Sequence, residues 1–284
     1  GLFVMLKLGA GVEGTDNGWV YGVVSGDGSR VIAAGKLAWE DAGTPDVPSE
    51  RGGIVFGTGI GGIETLLVQH SVLLEKGPGR VSPFMVPALM ANAAAGHLAM
   101  KFGLTGPNYC TVSACASSAH AVGDAFRIIQ RGDAEVMIAG GTEATVTPLT
   151  IAGFANMRAL STRNESPETA SRPFDKTRDG FVLGEGAAMF VLEELEHARA
   201  RGATIVAEIV GYGLTGDAYH ITGQPGDHEG LQRAMRSALR NAGAEPGEVD
   251  YVNAHGSSTP LNDPTETAAI RLRLLILQPP LSRS

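Results

Sequence analysis

Short apolar runs alternate with helically spaced ones along most of this chain. Residues 54–56 form an apolar run closed by Gly57 and predict a strand. Ile63, Leu66, Leu67, Leu73 and Leu74 recur at helical spacing, predicting a helix over Ile63–Lys76 that Gly77-Pro78-Gly79 closes. The same reading gives a small-residue helix over 88–102, a buried strand over 109–114, a helix over 117–131 and a strand over 135–139. Gly140-Gly141 is then expected to turn the chain. Residues 156–186 are polar and loop-like, with Arg172-Pro173-Phe174-Asp175 in their middle. Beyond them the pattern predicts a strand at 187–193, a helix at 194–201, a strand at 205–212 and a helix over Glu229–Ala242. A strand at 249–254 and a helix from about Asp263 complete it. Strands alternating with helices imply an α/β fold around a mixed or parallel sheet, and no short-period repeat is present.

Composition narrows the picture. At 284 residues the chain is long enough for two domain-sized units or one large α/β unit. With 43% hydrophobic and 18% charged residues it suits a protein that buries a sizeable core. The net charge of −8 argues against nucleic acid or an anionic membrane as the main partner. No stretch approaches the roughly 18 consecutive apolar residues that span a bilayer, and no secretory leader is expected. The two cysteines, Cys110 and Cys115, make no disulfide framework, so the expected compartment is reducing and cytoplasmic. The chain starts at Gly1, and its last fourteen residues, 271–284, contain no acidic side chain. A frayed or foreign tail is expected there, on a chain shorter than a whole gene product.

Candidate chemistry concentrates in two places. In Asn108-Tyr109-Cys110-Thr111-Val112-Ser113-Ala114-Cys115-Ala116-Ser117-Ser118, a predicted strand runs into Cys115 and a predicted helix follows. Unpaired N–H groups and the helix dipole favour a thiolate there, and the small neighbours leave room for a carbonyl. From the residues alone, Cys115 is either a nucleophile able to hold a thioester or a small core residue. Cys110, inside the strand, reads as structural. The second place is Val252-Asn253-Ala254-His255-Gly256-Ser257-Ser258-Thr259-Pro260, where a predicted strand delivers His255 to its C-terminal end beside glycine and hydroxyls. That setting suits a general acid or hydrogen-bond donor. His70, His97, His197 and His228 are expected on surfaces without a role, and His120 and His220 as structural residues.

These stretches carry a resemblance. Residues 112–118, Gly140-Gly141-Thr142-Glu143-Ala144, Arg172-Pro173-Phe174-Asp175, residues 179–186 and residues 255–263 together resemble the β-ketoacyl-acyl-carrier-protein synthases. The likeness runs from about Leu37 to Ile270 and is strongest to the synthase II branch, with type II polyketide ketosynthases nearly as near. It implies a thiolase-like fold, layered αβαβα with its second half incomplete, and a homodimer. Residues 1–203 would form the N-terminal ketosynthase half, its first strand and helix missing or unrecognisable. Residues 204–270 would begin the C-terminal half, with 271–284 as an atypical tail. The resemblance makes Cys115 the acyl-accepting nucleophile and His255 one of two histidines assisting malonyl decarboxylation. It puts Thr222, Ser257 and Thr259 along the channel for the carrier's pantetheine arm, and Ile60 and Phe154 along the acyl-chain tunnel. Arg158 is a candidate for docking the acidic acyl carrier protein. The implied reaction is a decarboxylative Claisen condensation in fatty acid elongation, needing neither metal nor organic cofactor.

The pattern also departs from the family. Its Lys-Ser-x-x-Gly-His motif and a later Gly-Phe-Gly segment do not occur in these 284 residues. Since one missing oxyanion donor costs about 10²–10³ in rate, an impaired fragment is expected. Three other readings compete with this one: a type II polyketide ketosynthase, a non-catalytic ketosynthase-like partner subunit, and a Rossmann dehydrogenase. The retained Cys115 speaks against the partner subunit. Gly57-Thr58-Gly59-Ile60-Gly61-Gly62 satisfies G-x-G-x-x-G, but Glu75, near the distance required of the acidic partner, falls at a predicted helix end rather than a strand end.

Overall fold

The computed structural model describes residues 2–8 and 29–274; the part of the expected tail beyond residue 274 lies outside them. In chain order the elements are β1 (Leu2–Leu8), α1 (Ser29–Asp41), β2 (Gly52–Gly57), α2 (Ile63–Lys76), α3 (Met85–Leu89), α4 (Ala93–Phe102), β3 (Asn108–Thr111), α5 (Ser117–Gln130), β4 (Val136–Glu143), α6 (Pro148–Asn156), β5 (Gly186–Glu193), α7 (Leu195–Ala200), β6 (Ala207–Leu214), α8 (Glu229–Ala242) and α9 (Asn262–Leu274). They form two units interleaved along the sequence. One comprises Lys7–Thr147 and Gly184–Glu208; the other comprises Gly1–Leu6, Pro148–Leu183 and Ile209–Ser284.

The first unit is built on a four-stranded sheet in the order β3-β2-β4-β5. β2 runs parallel to both β3 and β4, while β5 runs antiparallel to β4. Successive side chains on a strand point to opposite faces. Ile54, Phe56, Val136 and Ile138 accordingly pack with Val31 and Trp39 of α1 and with Ala95 and Leu98 of α4. Val55, Met137 and Ala139 pack on the other face against Ala121, Ala125 and Ile128 of α5. Cover on both faces is why these strands read as continuous apolar runs rather than alternating ones. Each fully buried Ile or Phe contributes about 1.5–3 kcal/mol.

Three expectations in this unit need correction. Gly140-Gly141 does not turn the chain, because β4 continues through it to Glu143. The glycines serve close approach instead. A Cβ on Gly140 would lie 2.1 Å from the Ala188 carbonyl oxygen of β5, and one on Gly141 only 1.8 Å from the Ser118 Oγ of α5. The predicted helix over 88–102 is two helices. Met90 is extended (φ −61°, ψ 135°), and the Leu89 carbonyl accepts the Gly62 N–H (3.3 Å) instead of continuing the helix. The predicted strand over 109–114 stops at Thr111, because Ala114 adopts φ +51°.

In the second unit α8 and α9 pack around Met235, Leu239 and Ala269, joined by Leu231, Val249, Val252 and Ile270. β1, which the apolar pattern does not single out, pairs with β6. The strand expected over 249–254 joins no ladder among the described residues; Val249 and Val252 pack on the helices instead. His228, expected on a surface, is 4% exposed and starts α8 in a left-handed conformation. Among the described residues no helix is long and apolar enough to cross a membrane.

Candidate active site

Cys115 lies in the first unit, in the link from β3 to α5. Left-handed backbone costs an L-residue about 1–2 kcal/mol, so Ala114 needs bonds to hold it. Ser117 supplies them: its buried hydroxyl donates to the Ala114 carbonyl (2.7 Å) and accepts the Ser113 N–H (2.8 Å). The Thr111 hydroxyl donates to the Ser117 carbonyl at 2.8 Å. Gly57 admits this packing, since a Cβ there would lie 2.3 Å from the Ser117 carbonyl carbon. The chain thus leaves the sheet through a sharp elbow, with Cys115 exposed and not disulfide-bonded, two residues before the first turn of a 14-residue helix. The partial positive charge at that helix end suits a thiolate and a polarised carbonyl. Ser113 Oγ also hydrogen-bonds His120 Nδ1, and burial pulls the His120 pKa below its ordinary value against the opposing field of Asp124. Cys110 differs. Burial pushes its thiol pKa up, and the Glu143 carboxylate adds to the rise.

Ile60 is in the same unit, 44% exposed, in the loop between β2 and α2. The Glu143 carboxylate at the end of β4 holds that loop. It accepts the Thr58 hydroxyl (2.9 Å) and the N–H groups of Gly59 (2.6 Å), Ile60 (3.0 Å) and Gly61 (3.3 Å). These amides are the ones a dinucleotide phosphate would need, and here a side-chain anion occupies them. That removes the physical basis of the Rossmann alternative.

His255, Ser257, Thr259, Thr222 and Phe154 lie in the second unit. His255 is exposed, in a loop whose backbone bonds a carboxylate of α9. Glu266, 4% exposed, accepts the N–H groups of His255 (2.7 Å) and Gly256 (2.9 Å). Asp263, 1% exposed, accepts the Phe174 N–H at 2.7 Å and lies 3.7 Å from Arg178. Arg178 donates onward to the Thr259 carbonyl (3.0 Å), and Ser258, at φ +61°, accepts the Arg172 N–H (3.1 Å). Ser257 and Thr259 are brought together, their hydroxyls 2.9 Å apart. Thr222 sits on an exposed turn in which His220 Nδ1 accepts the N–H groups of Thr222 (3.2 Å) and Gly223 (2.9 Å). Phe154 of α6 packs edge-on against Phe181, with centroids 5.2 Å apart. Arg158 is exposed at φ +55°. Among the described residues no group of three His, Cys, Asp or Glu side chains is arranged to hold a metal ion.

Comparison with known proteins decides what this arrangement belongs to. Residues 30–198 match the model of the β-ketoacyl synthase N-terminal domain, and residues 206–274 that of the C-terminal domain. The chain belongs to the β-ketoacyl synthase family. It is 57% identical over 222 residues to 3-oxoacyl-acyl-carrier-protein synthase 2 of Synechocystis sp., covering 78% of this chain and 53% of that protein. The like-named protein of Coxiella burnetii is 51% identical over 242 residues, 84% of this chain and 58% of that one. The chain thus spans little more than half the length of these curated relatives. Among solved structures, a type II polyketide ketosynthase bound to a hexaketide and complexed with its acyl-carrier protein superposes with a TM-score of 0.83. It is 34% identical, over 87% of this chain and 62% of that one. A β-ketoacyl synthase from Burkholderia phymatum gives 0.80 at 38% identity, over 87% of this chain and 60% of that one. The fold is the thiolase-like fold of the ketosynthases.

Within this chain the resembling motifs gain physical roles. Arg172 and Asp179, from two of them, form a 2.9 Å ion pair beside the His255 loop, and the Gly180 N–H donates to the Ser258 carbonyl (3.0 Å). The sequence alone assigns no role to Glu143, Ser117, Asp263 or Glu266. The last two had a signal: acidic residues three apart fall on one helical face, here among positions that also supply core residues.

Proposed function

We propose that this chain is the nucleophile-bearing part of a β-ketoacyl-acyl-carrier-protein synthase acting in fatty acid elongation. The Cys115 thiolate attacks the carbonyl of an acyl thioester, and the carrier's thiolate leaves and takes up the proton that the Cys115 thiol had lost to solvent, so the acyl chain rests on Cys115. Malonyl-carrier then loses CO₂ with His255 as hydrogen-bond donor. The resulting enolate carbon attacks the Cys115 thioester carbon and expels the thiolate. Thr222, Ser257 and Thr259 line the path of the pantetheine arm, Ile60 and Phe154 line the acyl tunnel, and Arg158 faces the acidic carrier. The enzyme works as a cytoplasmic homodimer, with residues 1–203 and 204–270 belonging to its two ketosynthase halves. Higher identity to the 3-oxoacyl-acyl-carrier-protein synthases than to the polyketide ketosynthase favours fatty acid over polyketide supply.

The observation carrying this reading is the contrast between two thiols: Cys115, exposed on a pinned elbow at a helix N-terminus, and Cys110, in a strand with its pKa raised by burial. Iodoacetamide near neutral pH is expected to alkylate Cys115 several-fold faster than Cys110, and an acyl-N-acetylcysteamine thioester to add one acyl mass that Cys115→Ser abolishes. Equal or reversed labelling, or acyl uptake surviving Cys115→Ser, overturns the assignment. Because the Lys-Ser-x-x-Gly-His motif does not occur in these residues, acyl uptake is expected to proceed here while condensation stays near background.

A further inference from the structure

Ile60 stands in the loop between β2 and α2. The residue is 44% exposed and belongs to no core cluster. Its N–H donates to the carboxylate of Glu143. Gly57 and Gly141 are paired in the β2–β4 ladder, so Glu143, two residues further on, reaches across the strand ends to the loop that follows β2. Both of its oxygens are used. Oε1 accepts the Thr58 hydroxyl and the Gly61 N–H, while Oε2 accepts the N–H groups of Gly59 and Ile60. The same carboxylate stands just before α2, a 14-residue helix whose N-cap, Gly62, offers no side-chain cap, so it also answers that helix's positive end. A Cβ at Gly59 would lie 2.8 Å from Oε2 and 3.5 Å from the Ala114 carbonyl oxygen. Carboxylate, Ile60 loop and Cys115 elbow therefore meet in one set of contacts.

We infer that Glu143 is a positioning residue for chain-length selection: by clamping residues 58–61 through four hydrogen bonds, it fixes how far Ile60 projects along the acyl path from Cys115. The inference rests on the proposed function for its reading of Ile60, but the clamp itself does not. A glutamine at 143 keeps size and shape yet offers one oxygen in place of two, and its NH₂ group turns donors toward donors. The Ile60 loop then loses its fixed depth while the ladder beneath it stays intact.

The test uses the full chain carrying Glu143→Gln and two readouts. Amide hydrogen exchange at Gly59, Ile60 and Gly61 is expected to quicken about tenfold or more. The ratio of hexanoyl to palmitoyl uptake from N-acetylcysteamine thioesters, read by intact mass, is expected to move about fivefold or more. In an Ile60→Ala background the glutamine is expected to move that ratio no further. Glu185→Gln, which removes a single 2.8 Å carboxylate bond to the Val146 N–H, serves as the control and is expected to leave the ratio in place. Unchanged exchange overturns the inference, as does lost protection with an unmoved ratio. An undiminished shift in the Ile60→Ala background, or an equal shift from the control, also overturns it. If the glutamine variant lacks native circular dichroism, Glu143→Asp, which keeps the charge but shortens its reach, is expected to shift both readouts in the same direction. A wild-type chain that acquires neither acyl group removes the proposed function and this inference with it; one that acquires both, beside an unchanged variant, removes the inference alone.

Discussion

The elbow bearing Cys115 and the loop bearing His255 are supported by different means. The elbow leaves a sheet whose β2 is paired on both sides, and glycines let a helix end press onto its strands. The His255 loop follows a segment that joins no ladder among the described residues; of two buried carboxylates of α9, Glu266 holds two of its backbone amides and Asp263 holds the neighbouring Phe174 N–H. One support is steric and tolerates no added atom. The other is electrostatic and tolerates no lost charge. Substitutions of opposite kind therefore distinguish the two regions.

The largest effect is expected from adding a methyl group to the elbow's support. Gly141→Ala forces a Cβ against Ser118 Oγ and is expected to destabilise the chain by about 3 kcal/mol in urea unfolding. Gly96→Ala, in α4 with nothing within 4 Å of the new Cβ, is expected to be neutral or stabilising by up to about 1 kcal/mol. Equal losses from the two would break the steric account. Next comes Asp263→Asn, which weakens the bond to Phe174 N–H and leaves Arg178 without its charge partner, for a loss of about 2 kcal/mol. Its unfolding midpoint is expected to fall while the alkylation rate of Cys115 stays at the wild-type value; a slowed Cys115 would show that the two supports are not independent. Ser117→Ala is expected to cost about 1 kcal/mol and to narrow the alkylation advantage of Cys115 over Cys110.

Acid sharpens the comparison further, with the smallest effect. Burial holds the pKa of His120 in one unit and His228 in the other below the ordinary value. A lowered histidine gives stability that is complete above about pH 6.5 and declines as pH falls below it, so both regions share that step. The His255 region also has Asp179, whose pKa is lowered to about 2, first by the Ser161 hydroxyl and then by the Thr162 N–H and Arg172. Its contribution is complete above about pH 4 and lost as pH falls toward 2. Asp179→Asn is expected to flatten that lower limb alone in an acid titration followed by circular dichroism; an unchanged limb would assign it elsewhere.

Much of this was legible in the sequence. The bounds of α2 and α8 follow from apolar spacing, with Gly77 and Gly243 just past their ends. The Cys115 and His255 segments stood out because reactive residues sat beside small or hydroxyl-bearing ones. What stayed hidden depends on partners distant in sequence. Gly140-Gly141 reads as a turn until β5 and α5 are seen pressing on it. The segment 249–254 has a strand's composition, but composition says nothing about whether a neighbouring edge is available. Glu143 and Glu266 look like surface charges until the amides they answer, about eighty and ten residues away, are placed beside them.

The interleaving of the two units bears on the order in which the chain can be made. The sheet that carries the Cys115 elbow lacks its edge strand β5 until residue 193 has been synthesised, and Pro148–Leu183, which belongs to the other unit, emerges first. A nascent chain released at residue 147 holds Cys115, the helix that follows it and three of the four strands, yet leaves one side of β4 unpaired, a ready edge for misassociation. Neither unit is a contiguous stretch of the gene, so cutting the coding sequence between them yields no piece that contains a whole one.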